Sequence, residues 1–113
     1  METQTHIVHD RSEDRQRTIG YRIVEADQQP SIRVVCAETR CHPNDNFRKD
    51  TARAHVNARL DSYESGARSP KLRAFEAALG RSAPTNAEEY RALENELLML
   101  ADHHLPMPAA LRR

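Results

Sequence analysis

With 113 residues, the chain is long enough for one modest hydrophobic core and too short for two. Hydrophobic residues make up 38%, charged residues 30% and aromatic residues 4%, with no Trp, so that core must rest on Leu, Ile, Val and Ala. The net charge is zero, which removes the general electrostatic argument for a nucleic-acid or membrane surface, and no run approaches the roughly 18–20 apolar residues of a membrane span.

The opening stretch METQTHIVHDRSEDRQR lacks the apolar centre of a secretory signal, and two cysteines, Cys36 and Cys41, do not make a disulfide framework. Both features fit a cytoplasmic protein with free thiols. Residues 1–16 are expected as a mostly flexible N-terminal arm, within which the alternation from Thr5 to His9 offers a third strand.

From Thr18, Ile19, Tyr21 and Ile23 alternate with Gly20, Arg22 and Val24, the period of two that a half-buried strand requires. Ala26 to Ser31 breaks the pattern with turn-forming residues, and Ile32 to Ala37 resumes it, so a β-hairpin is expected. Ile32, Val34 and Cys36 share one of its faces. Two strands alone are marginal in water, so helices must cover the hairpin.

The run from Asn44 to Ser65 predicts the longest helix, capped by Asn44 or Asp45 and stopped at Gly66. Ala52, Val56, Leu60 and Tyr63 make one apolar stripe at 100° per residue; Phe47, Ala54 and Ala58 make a second, which predicts packing on two sides. Ser69-Pro70 then reads as a cap and first turn for a short helix over 71–79, ended by Gly80. Thr85 and Glu88 form a capping box before the most apolar helix, residues 87–104, whose Leu93, Leu97, Leu98 and Leu100 must pack within the domain or against a second copy. Residues 106–113 are expected as a tail. The fold class is therefore α+β, an antiparallel hairpin packed against about three helices in a single domain spanning 17–105.

Cys36, Cys41, His42 and His55 can be drawn as a four-ligand zinc set, but the spacing lacks the paired pattern of structural zinc sites. Cys41 with His42 and Arg40 beside it is the one arrangement that suggests a thiol nucleophile. A small core residue at Cys36 and a helix-entry turn at Cys41 are the simpler readings. No Gly-rich phosphate loop, nucleophile elbow or metalloprotease motif occurs, so neither a cofactor nor catalysis is expected.

Charge is unevenly spread. From Arg33 to Arg59 six basic residues face three acids, whereas Ala74 to Leu105 carries six acids and two arginines. Arg48, His55 and Arg59 line one edge of the long helix, with Lys49 and Arg53 nearby and Arg33 and Arg40 on the adjoining strand. These seven residues are the candidate binding surface, suited to phosphates or to an acidic protein. Asp45, Asp50 and Asp61 on the same helix temper that reading.

The stretch Cys41-His42-Pro43-Asn44-Asp45-Asn46-Phe47-Arg48-Lys49, continued by Arg53, Ala54, Val56, Ala58, Arg59 and Leu60, resembles small proteins encoded by phages and prophages. In those, two strands end in a Cys-x-Pro-x-Asp-x-Phe-x-Lys turn before an Arg- and Ala-rich helix. The likeness spans roughly residues 18 to 60; Ala52 stands where that pattern has Gly. It implies a ββα start and a role among host-takeover factors, anti-CRISPR-type inhibitors of host defence and small regulators. The leading expectation is thus a non-enzymatic inhibitor or modulator of a host protein or protein–RNA complex. The alternative is a dimeric nucleic-acid-binding regulator that uses the Arg-rich helix and pairs through residues 87–104.

Overall fold

The computed structural model describes residues 4–10, 17–25, 31–40 and 48–105. Strands β1 (His6–Asp10), β2 (Arg17–Glu25), β3 (Ile32–Arg40) and β4 (Ala74–Leu79) form one antiparallel sheet in chain order. Helix α1 (Lys49–Glu64) leads through a 3₁₀ turn, Pro70–Leu72, into β4, and α2 (Ala87–His104) follows. The class is α+β, with two helices among the described residues instead of about three.

Register explains where the helices go. His6, Tyr21, Cys36 and Phe75 lie side by side across the four strands, and the next row is Ile7, Gly20, Ala37 and Ala74. Successive side chains point to opposite faces, so the large row belongs to one face and the mostly small row to the other. On the large face, Leu93, Leu97 and Ala101 of α2, with Leu105 after it, bury Ile19, Tyr21, Ile32, Val34, Cys36 and Phe75. On the small face α1 packs Leu60 against Val35 and Ala37, with Ala52 and Val56 also buried. Gly20 is what lets it come so near: a Cβ there would sit 2.8 Å from Val56 Cγ2. The sheet is thus covered on both faces.

Several expectations need correction. Of the short helix expected over 71–79, only the start is helical, within the 3₁₀ turn Pro70–Leu72, and Ala74–Leu79 is strand β4. Ala-Phe-Glu-Ala-Ala-Leu has strong intrinsic helix formers, but pairing with β3 buries Phe75 and leaves Ala78 exposed. Residues 6–10, within the expected arm, pair with β2 as the offered third strand. The second stripe of α1 is not a packing face: Ala54 and Ala58 are exposed, because the sheet occupies one side of the helix only. Phe47 and the proposed caps Asn44 and Asp45 lie outside the described residues. The described helix begins after Arg48, which makes no side-chain cap bond, and turns out at Gly66, φ 108°, where a stop was expected.

Asn86, not Thr85, caps α2: its side chain accepts the Glu89 N–H at 2.9 Å while Thr85 bonds the Glu89 carboxylate. Of the α2 leucines, Leu93 and Leu97 are buried in the chain's own core and Leu98 and Leu100 pack against it, and Met99 is the one large hydrophobic residue strongly exposed among the described residues, at 73%.

Candidate functional site

Glu38 follows Ile32, Val34 and Cys36 in the same alternation, so β3 delivers its carboxylate to the core face, 1% exposed. A buried carboxylate requires partners. Oε1 accepts from Arg73 Nη2 at 2.7 Å and Arg40 Nε at 3.1 Å, and Oε2 lies 3.6 Å from Arg17 Nη1, which also donates to Asp102 at 2.5 Å. Arg59 reaches the same residue from the other face, donating to the Glu38 carbonyl at 2.6 Å. Burial lowers the pKa of the Arg59 guanidinium, the neighbouring charge of Arg73 adds to this, and Glu38 opposes it. Arg73 holds a left-handed backbone, φ 55°; its carbonyl accepts the Glu38 N–H and its guanidinium also caps the Leu105 carbonyl. Four arginines and Asp102 thereby fasten β2, β3, the β4 entry, α1 and the end of α2 around one carboxylate.

A second buried arginine uses the acidic edge of α1. Arg22, 9% exposed, donates to Glu64 at 2.7 Å, pairs with Asp61 at 2.9 Å, and bonds Asn57 and Thr5. Asn57 and the exposed Asp61 thus both serve this cation.

The seven candidate binding residues therefore separate. Arg40 and Arg59 belong to the Glu38 cluster. Arg33 is exposed on the α1 face of the sheet and pairs with Glu76 at 3.5 Å. Arg48, Lys49, Arg53 and His55 remain exposed on the first two turns of α1 with no ion-pair partner among the described residues. Lys49, Asp50, Arg53, Ala54 and Asn57 border an open depression of about 460 Å³. Three guanidinium or ammonium groups here add to the positive end of the helix dipole, an arrangement that attracts carboxylate or phosphate.

Sequence reasoning found these exposed cations and missed Glu38, Arg17, Arg73 and Arg22. Strand parity was the available signal for Glu38 and Arg22; Arg73 carried none, since its position depends on β4 being a strand.

The chemistry drawn around the thiols does not assemble. Cys36 points into the α2 layer while His55 lies exposed on α1 across the sheet, so they cannot share a metal ion. Burial pushes the Cys36 thiol pKa well up, the opposite of what a thiolate nucleophile needs. Cys41 and His42 lie outside the described residues. Tyr21 is also buried and donates to Glu94 at 2.7 Å, between a stacked His6 and the α2 layer; burial first, then the Glu94 bond and charge, push its phenol up.

Both groups stay protonated in the fold while the unfolded chain releases the thiol proton at pH ~8.5 and the phenol proton at pH ~10. Folded pKa values raised above the unfolded ones give stability that is present below the unfolded pKa and lost as pH rises. Urea melts should show stability falling by about 1.4 kcal/mol per pH unit above ~8.5 and about twice as steeply above ~10. Cys36→Ala should remove the first step; stability unchanged to pH ~11 would contradict the burial of both groups.

No helix among the described residues is long and apolar enough to cross a membrane. No protein-family model, curated protein or solved structure matches the chain.

Proposed function

We propose that this chain is a non-enzymatic binding protein that presents the first two turns of α1 to an acidic surface on a host protein or protein–RNA complex, inhibiting or modulating it. The observation that carries the reading is the division of cations: Arg40, Arg59, Arg17, Arg73 and Arg22 are consumed inside the fold, whereas Arg48, Lys49, Arg53 and His55 are exposed together and unpaired among the described residues. The phage-like segment covers the same turns and supports an anti-defence role, of which anti-CRISPR inhibition is one form.

A protein or ribonucleoprotein surface is favoured over free nucleic acid. Tracking a phosphate backbone calls for a continuous row of cations, and here the row is cut short by the inward turn of Arg59 and flanked by Asp50 and Asp61.

The test uses tagged full-length chain in phage-infected host cells. Wild type is expected to retain a near-stoichiometric partner, and the triple charge reversal Arg48→Glu, Lys49→Glu, Arg53→Glu to lose it with stability kept within about 0.5 kcal/mol per exposed site. Recovery of no stoichiometric partner, or equal recovery with the triple variant, counts against the proposal. Steeply salt-dependent retention of RNA or DNA alone would transfer the reading to a nucleic-acid-binding regulator.

A further inference from the structure

β4 ends the sheet. Its inner edge pairs with β3, and among the described residues no backbone hydrogen bond reaches its outer edge. The register identifies which groups are left over. The Glu38 N–H donates to the Arg73 carbonyl, so by the alternation of antiparallel pairing Phe75, Ala77 and Leu79 direct their backbone groups to β3. Ala74, Glu76 and Ala78 direct theirs outward.

Open edges are ordinarily guarded by Lys, Pro, a bulge or an inward-pointing charge. Ala-Phe-Glu-Ala-Ala-Leu has none of these, and its single charge, Glu76, is engaged with Arg33 on β3. On the α1 side the helix covers only the start of the strand, at Ala74, and leaves Glu76 and Ala78 exposed.

We infer that β4 pairs with β4 of a second copy of this chain, antiparallel about a two-fold axis through Ala77, so that two sheets join into one continuous sheet. The outward groups of Ala74, Glu76 and Ala78 exchange hydrogen bonds only in registers that oppose even positions to even ones. A two-fold through Glu76 would set that carboxylate against its own equivalent, which like charges directly opposite each other disfavour. The two-fold through Ala77 sets Glu76 against Ala78 of the second copy and Ala74 against Gly80, each pair sharing main-chain bonds. On the α2 face it sets Phe75 against Leu79 and Ala77 against itself. A charge meets a methyl group, an aromatic ring meets an aliphatic side chain, and the smallest side chain lies on the axis. The contact is isologous, so it closes at two copies and removes both open edges. It uses neither the exposed cations of α1 nor residues 87–104, and it stands or falls apart from the partner proposed above.

Sedimentation equilibrium of the full chain from about micromolar to about hundred-micromolar concentration tests it. Wild type is expected to dimerise reversibly. Ala78→Glu, at an exposed position, opposes two carboxylates twice per interface and should raise the dimer dissociation constant about tenfold or more, with the circular dichroism of the monomer preserved. Adding Glu76→Lys to that variant opposes unlike charges and should restore association. A wild type that stays monomeric throughout, a dimer indifferent to Ala78→Glu, or one that the added Glu76→Lys does not restore would overturn the inference.

Discussion

Replacing Glu38 by Leu is expected to destabilise the folded chain by about 3–5 kcal/mol, the cost typical of removing one side of a buried ion pair. The carboxylate is sealed from solvent, and Arg17 and Arg40 have side chains only 8% exposed, so its removal leaves cations that the fold cannot hydrate without opening. Against the roughly 5–15 kcal/mol that hold a domain together, this is a large fraction. Glu38→Gln keeps an acceptor for Arg73 and Arg40 but loses the charge, and should fall between wild type and Glu38→Leu. Arg40→Met should cost less than either, because Arg73 still satisfies Oε1. Replacing Glu38 and Arg40 together by apolar residues should cost less than the sum of the single changes. Urea denaturation of the series gives the order directly. A Glu38→Leu protein within about 1 kcal/mol of wild type would show that the cluster is not what fastens the sheet to its helices.

The second large effect lies on the opposite face. Gly20→Val should destabilise by about 1–3 kcal/mol or more, because its Cβ would stand 2.8 Å from Val56 Cγ2, 3.1 Å from Val56 Cβ and 3.4 Å from Leu60 Cδ1. The Val56 Cβ is fixed to the helix backbone, so relief requires α1 to lift from the sheet. Gly20→Ala meets the same atoms with fewer added; the conformational entropy that Ala removes from the unfolded chain offsets only about 0.4–1 kcal/mol. Val56→Ala should partly rescue either substitution. In a double-mutant cycle from thermal or urea melts, an interaction of about 1 kcal/mol in the rescuing direction is expected, whereas strict additivity would mean that α1 does not rest on Gly20.

Much of the frame could be read along the chain. The alternation at 18–24 and 32–37 specified both strands of the hairpin, including the shared face of Ile32, Val34 and Cys36, and Thr5 to His9 carried the signal for β1. The buried stripe of α1 followed from its periodicity, with Ala52, Val56 and Leu60 inside. β4 did not follow, because six residues are too few to separate a period of two from one of 3.6. Local propensity then favoured a helix that pairing with β3 overrules.

The candidate surface was half legible for a related reason. Residue type and helical spacing identify Arg48, Lys49, Arg53 and His55 as exposed cations. They cannot tell that Arg40 and Arg59 are drawn to Glu38, since that depends on the far end of α2 and the turn at Arg73 meeting the end of β3. Parity along β3 places the Glu38 carboxylate on the same face as Cys36, and an inward carboxylate demands cations. Following that demand would have removed two arginines from the candidate surface.

The most direct measurement of the proposed function is amide hydrogen exchange of the full chain, free and in complex with the partner it retains in infected cells. Protection gained across residues 48–57 of α1, absent when Arg48, Lys49 and Arg53 are reversed to Glu, is the expected result. Protection confined to the outer side of α2, with α1 exchanging as in the free chain, would contradict it.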